Sequence, residues 1–315
     1  MFSIFAAGFA AVLGFSTGAY AQTYPVKPVR IIVPFSAGGL TDVLGRGLAN
    51  ELTRMWGQQV IVENRAGANT IIAAELVAKS PPDGYTLLLA NDPTLSINQY
   101  TYSKLPYDPV RDFTPVINLI QSVTVLVVTP SLPVNNLQEL IAMAKTRPGE
   151  VTYGTFGYGS SVHLDTVELS AMAGIKLSHI PFKGIADVLP AVMSGQINMG
   201  LSAVAPALAH IRSGRLKALA YAGTQRSKVL PNVPTYAEAG LPGFLTHGWF
   251  GFVVPTGTPR PVIDKIAADT SKVITTREFD EKFVTGVGME LLNQGPAEYA
   301  EFLVKDRAQY AKRVK

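Results

Sequence analysis

The sequence contains no cysteine, which excludes disulfides and thiol catalysis and leaves zinc without its commonest ligand. Charge is sparse as well. Asp, Glu, Lys and Arg make up 16% of the 315 residues, with a net charge of +4. Lys and Arg stand singly rather than in the clustered stripe that nucleic-acid binding requires, so no nucleic-acid partner is expected. Their densest stretch, KDRAQYAKRVK at the C-terminus, reads as the solvated face of a last helix. The four histidines, His163, His179, His210 and His247, are far apart in sequence and show no ligand spacing, so no metal is assigned. Four catalytic or nucleotide signatures are missing: the lysine-bearing phosphate loop, G-x-G-x-x-G with its ribose acid, G-x-S-x-G and H-E-x-x-H. His163 occupies the place of the last glycine in the third. No catalytic residue and no cofactor is therefore assigned, and the chain is not read as an enzyme.

What is present begins at the N-terminus. MFSIFAAGFAAVLGFSTGAYAQ carries no charge, has a short apolar run and ends in Ala19-Tyr20-Ala21. That is a secretory leader pattern, expected over residues 1–21 with cleavage after Ala21. An uncleaved apolar anchor is the alternative. No later run is long and apolar enough to span a membrane, so the mature chain is expected in the periplasm. Hydrophobic residues make up 47% of the sequence, enough for large cores.

Strands are legible at 29–35, 58–64 and 85–91, with helical patterns between them. Leu44, Leu48, Leu52 and Met55 share one helix face. Strand–helix alternation at this spacing predicts βαβ units. The apolar segment 116–130 is too long for one ordinary strand and reads as a crossing into a second sheet. Alternation then restarts, and THGWFGFVVP (246–255) reads as the return. The expected organisation is a discontinuous first domain, 22–124 plus 247–315, and a second domain, 125–246. Trp249 and Phe250 are expected to pack at the return crossing. Tyr100, Tyr102 and Tyr107 lie on a polar loop that could wall a cleft.

Two segments echo each other. VRIIVPFSAGGLTD and VTYGTFGYGSSVH are each strand, glycine turn, Ser/Thr, helix, one per expected domain. A helix start offers free N–H groups and a partial positive charge, which suits a carboxylate without any arginine. Ser36, Ala37, Gly38, Gly39 and Thr41 are candidates on one side; Gly157, Gly159, Ser160, Ser161 and His163 are candidates on the other. Asp42 would complement the helix dipole, receive a ligand amine or repel a second anion. The dipole at its helix start should keep His163 neutral. Each glycine turn alone could also be only a tight strand–helix connection.

The chain resembles the Bug-type extracytoplasmic solute receptors, the substrate-binding proteins of tripartite tricarboxylate transporters. YPVKPVRIIVPFSAGGLTD, VIVENRAGA, SPPDGYTLLLAN, YDPVRDFTPV, YGSSVHL, IPFKG, PNVPTYAEAGLPGF and WFGFVVPTGTP carry the resemblance, in order from Tyr24 to Pro259. It implies an α/β, type II periplasmic-binding-protein fold: two α/β domains with mixed, mostly parallel sheets around a ligand cleft. It implies a small organic acid, mono- or dicarboxylate, delivered by a monomer to membrane transporter subunits. A ligand-dependent sensor partner and an exported enzyme acting on a small acid are the alternatives. The resemblance places one carboxylate on Ser36–Asp42. The opposite wall would be Gly157–His163 with Lys183, Gly184 and Asp187. The loop from Asn91, including Thr94, would tune specificity. Two departures touch these walls. Asn69-Thr70-Ile71 stands where the family continues with glycines, and Ala191 stands where many members carry an aspartate.

Overall fold

The computed structural model describes residues 24–182, 187–246 and 248–314. The expected leader, together with Lys183, Gly184 and His247, lies outside them. The first lobe opens with β1 (Val29–Val33), α1 (Leu40–Trp56), β2 (Val60–Asn64), α2 (Ile71–Ala78) and β3 (Thr86–Asn91). A single π-helical turn over Pro93–Ile97 leads into α3 (Asn98–Thr101), then β4 (Phe113–Ser122). After one residue, Val123, the chain is in the second lobe.

The second lobe is β5 (Thr124–Val128), α4 (Leu137–Thr146), β6 (Thr152–Thr155), α5 (Ser161–Ala173), β7 (Ser178–Pro181), α6 (Val188–Met193), β8 (Met199–Ala203), α7 (Val204–Arg212) and β9 (Lys217–Tyr221). The return strand β10 (Gly248–Pro255) re-enters the first lobe. There α8 (Arg260–Ile274), α9 (Arg277–Phe283), β11 (Met289–Gln294) and α10 (Pro296–Arg313) complete it.

Two sheets result, a six-stranded β11-β4-β10-β3-β1-β2 and a five-stranded β7-β6-β8-β5-β9. The parallel pairing that βαβ spacing predicts holds for β1 with β2 and β3, and for β6 with β7 and β8. The remaining pairs are antiparallel. The sheets are thus mixed but not mostly parallel. The physical reason is that crossing and return strands enter each sheet without a crossover helix, so they run against their neighbours.

Packing follows the strand period of two. Val29, Ile31 and Val33 face one core with α1 and α8, while Ile32 faces another with α2 and Tyr299 of α10. Covered on both faces, β3 is buried at every position. Leu44, Leu48 and Leu52 seat α1 on its core, and Met55, expected beside them, is exposed. Gly57 ends that helix in the left-handed region, its N–H bonded to Thr53 O. A third core fills the second lobe.

The two crossings run side by side. Ser122 pairs with Gly248, and Thr124 Oγ1 meets Thr246 Oγ1 at 2.7 Å. The strand ends that follow β1, β2, β3, β6 and β8 all face the space between the lobes.

Candidate functional site

A cleft of about 320 Å³ lies between the lobes. Its walls are largely apolar, with Phe35, Leu40 and Phe250 from the first lobe and Phe156, Leu189 and Met193 from the second. Phe35 and Phe156 meet edge to face across it, centroids 5.8 Å apart. No Lys or Arg lines it among the described residues.

On the first lobe, β1 ends at Val33 and the chain turns through Gly38 at φ +83°. Gly39 is the residue before the α1 helix, and Val43 N donates to Gly39 O at 3.0 Å. The amides of Leu40, Thr41 and Asp42 precede that bond and have no helical acceptor. Gly39, Leu40 and Thr41 line the cleft. Asp42 does not. It is buried, its Oδ2 accepting from Gly38 N (2.9 Å) and Arg46 Nε (3.0 Å), and its Oδ1 from Asn64 Nδ2 (3.0 Å). Burial pushes its carboxyl up, but hydrogen bonds from Arg46, Gly38 and Asn64 outweigh that and hold it below the usual range. Asp42 therefore shapes the turn from behind, and the Gly38 N–H is spent on it.

On the second lobe, Leu164 N donates to Ser160 O at 3.0 Å, leaving the amides of Ser161, Val162 and His163 without helical acceptors. Ser161 and Val162 line the cleft. The Ser160 hydroxyl donates to Gly157 O at 2.7 Å and caps nothing. A further uncapped start stands beside it. Strand β8 runs directly into α7 at Ala203, and Ser202, Ala203 and Pro206 line the cleft.

The floor carries acids. Asp92, just past β3, is buried, takes a hydrogen bond from Tyr310 Oη at 3.2 Å, and has the Ser161 hydroxyl beside it across the lobe boundary. Burial, with the charges of Asp306 and Asp165 nearby, pushes its carboxyl well above the usual range. Asp165 of α5 is buried and paired at 2.7 Å with Arg313, the last residue of α10; Arg313 also reaches Glu168 at 2.5 Å. Burial pushes the Asp165 carboxyl up to about 6, with Arg313 pulling the other way. The C-terminal helix is thus not simply a solvated face: Tyr310 holds Asp92 within the first lobe, and Arg313 clasps that lobe to the second.

The structure brings Ser36, Gly38, Gly39, Thr41, Asn91 and Ser161 to the cleft wall. Ala37, exposed between Ser36 and Gly38, does not line it. Thr94 is buried beside Asn91, donating to its Oδ1 at 2.5 Å. Gly157 and Gly159 form the turn before α5 at φ +128° and +70°. A Cβ on Gly159 would stand 3.0 Å from Thr101 of the first lobe, so this turn packs against that lobe instead of lining the cleft. His163 also stands aside. Its Nδ1 accepts from Gly159 N at 3.3 Å, and its ring lies 4.5 Å from that of His179. Burial lowers both imidazoles, His179 to about 4 with His163 contributing, so both rings are neutral at pH 7. Asp187 is exposed and away from the lining. Lys183 and Gly184 lie outside the described residues.

Among the aromatics, Tyr107 is core, its hydroxyl donating to Thr94 O at 2.8 Å, and neither Tyr100 nor Tyr102 lines the cleft. Trp249 packs at the return crossing, its Nε1 donating to Asp306 at 2.9 Å. Phe250, one residue on, faces the cleft because strand neighbours point to opposite faces. Sequence reasoning missed Asp92, Asp165, Asn69 and the α7 start. Only the last had a local signal, a strand running into a helix without a cap.

The family described as "Tripartite tricarboxylate transporter family receptor" matches residues 44–315. Protein BugT of Bordetella pertussis (strain Tohama I) is 37% identical over 276 residues, covering 87% of this chain and 85% of BugT. The solved structure of R. palustris Rpa4515 with adipate superposes with a TM-score of 0.89 at 32% identity, covering 92% of this chain and 97% of that one. MatC (Rpa3494) from Rhodopseudomonas palustris, with bound malate, superposes with a TM-score of 0.86 at 29% identity, covering 93% and 100%.

Proposed function

The chain belongs to the tripartite tricarboxylate transporter receptor family, and from that premise we propose that it captures a small organic carboxylate in the periplasm and delivers it to membrane transporter subunits. One observation carries the reading: the uncapped start of α1 lines a cleft that holds no cation among the described residues and faces the uncapped start of α5. A carboxylate there would accept from the amides of Gly39, Leu40 and Thr41. Its remainder would lie against Phe35, Phe156 and Phe250, with Ser161 and Val162 closing from the other side. Relatives with adipate and with malate support this ligand class.

The lobes, 22–124 plus 247–315 and 125–246, would move as two bodies about the paired crossings at Thr124 and Thr246. Ligand contacts with both would favour the closed arrangement. The chain then acts as a monomeric carrier and not as an enzyme. The Ala19-Tyr20-Ala21 pattern supports export, and no described helix is long and apolar enough to cross a membrane.

A thermal-shift screen over organic acids tests the proposal. At 1,000 times Kd a ligand adds about 4.1 kcal/mol of stability, a plainly visible rise in Tm. The reading fails if no organic acid raises Tm while neutral sugars or cations do.

A further inference from the structure

Three consecutive residues at the cleft, none of them glycine, hold a left-handed backbone: Ala68 at φ +46°, Asn69 at +48° and Thr70 at +76°. For alanine, and more so for a β-branched threonine, this conformation is unfavourable. Strain of this kind persists only where the surroundings over-determine it. Here a buried polar network does so. Asn69 Nδ2 donates to Asn98 Oδ1 (2.8 Å), and Asn98 Nδ2 donates to Asn69 O (2.8 Å). Thr70 Oγ1 and Thr94 Oγ1 stand 2.9 Å apart, and Tyr107 Oη stands 3.3 Å from Asn98 Nδ2. The loop after β2 is thereby drawn over the end of β1 to the loop after β3.

The chemistry fixes which way the amides point. A main-chain carbonyl only accepts, so Asn98 must turn its Nδ2 to Asn69 O. Its Oδ1 then faces Asn69, which must answer with Nδ2. Asn69 Oδ1 is the atom left over. It is buried with no partner, on a residue that is 9% exposed and lines the cleft. A buried acceptor left unpaired is costly, and a strained backbone holds it there.

We infer that Asn69 is a specificity-determining residue whose Oδ1 accepts a hydrogen bond from a hydroxyl or N–H group that the ligand carries close to its carboxylate. The inference rests on the carboxylate-receptor reading. The α1 turn follows β1, and the Asn69 loop lies over the same strand end. Neighbouring strands are about 4.8 Å apart, so the donor belongs on the first or second carbon from the carboxyl group. Hydroxy and amino acids fit that description, and plain alkyl acids do not.

Titration calorimetry on matched pairs tests this: lactate against propionate and malate against succinate, with wild type and Asn69→Gly. Glycine takes the left-handed backbone freely, which offsets part of the loss of the Asn69–Asn98 side-chain bond, and Tm checks that the variant keeps its fold. Wild type should prefer the hydroxy acid of a pair by at least about fivefold, the smallest effect of leaving a buried acceptor unpaired. In Asn69→Gly the preference should fall towards one, with plain-acid affinity changed less than about threefold. No preference in wild type overturns the inference, as does a preference that survives in the variant. Equal weakening of both acids in a pair would mark a merely structural residue and overturns it too. If no acid in a wider panel binds wild type, the carboxylate-receptor reading falls with it.

Discussion

Replacing Arg313 by methionine should destabilise the protein in a way that depends steeply on pH. Arg313 joins the end of α10 to Asp165 and Glu168 of the other lobe. The Arg313 side chain is 16% exposed and that of Asp165 only 6%, whereas that of Glu168 is 40% exposed. The Glu168 contact is therefore screened and adds less than about 1 kcal/mol. The Asp165 contact is buried, and removing its partner strands a carboxylate, at a cost of about 3–5 kcal/mol. Burial already places the Asp165 carboxyl at about 6, above its ordinary 3.8. Folding thus takes up a proton between those values. The contribution of this carboxyl to stability is complete below its unfolded pKa and declines as pH rises through about 6. Without Arg313 the folded pKa climbs further, so the decline extends to higher pH. The gap between wild type and Arg313→Met should be about 3 kcal/mol or more at pH 8 and should shrink at pH 5. Urea unfolding at both pH values, followed by tryptophan fluorescence, measures it. Arg313→Met with Asp165→Leu should recover most of the loss, because an apolar pair of similar volume strands no charge. A loss below about 1 kcal/mol at pH 8, or one of equal size at both pH values, would refute the reasoning.

Asp42→Asn removes the charge that gathers Gly38 N, Arg46 and Asn64 and should cost about 1–3 kcal/mol at pH 7. Because the folded carboxyl sits below its ordinary value, its contribution is present above the unfolded pKa and is lost as pH falls through the folded one. Urea midpoints of the two proteins should therefore converge at low pH, and a constant gap down to about pH 2 would contradict this. Gly39→Pro deletes one amide at the cleft while the existing φ of −78° suits the ring. Calorimetry should show about tenfold weaker carboxylate binding with little change in Tm, and unchanged affinity would remove the turn from the site.

Elements whose signals are local could be read from the chain. The Leu44–Leu48–Leu52 stripe, the apolar run of β3 and the turn before Gly57 each specify their own conformation. Both glycine turns are legible as helix starts; the first lines the cleft itself, and beside the second it is Ser161 and Val162 of α5 that do. What could not be read depends on pairs brought together only by folding. Asp165 and Arg313 are 148 positions apart, and Trp249 and Asp306 are 57 apart. No periodicity links them. The left-handed run at Ala68–Thr70 was hidden for the opposite reason. Its alanine and threonine favour other conformations, and partners on the next loop override them. Phe250 was misplaced because a crossing strand has one face in the core and the next residue in the cleft.

The strand order of the larger sheet has a kinetic consequence. β10 lies between β3 and β4, yet it is separated from them in sequence by the whole of the second lobe. A chain appearing from its N-terminus can complete β5 to β9 while β3 and β4 still have open edges. Those edges are apolar, and the β3 stretch TLLLAN is the kind of segment that pairs with whatever strand is near. The lobe that begins first is thus the one that finishes last. Its contacts are long in sequence separation, which slows folding. Arrival of residues 248–313 both fills the gap and fastens the clasp, so the C-terminal fifth of the chain sets the moment at which the protein becomes safe from misassembly.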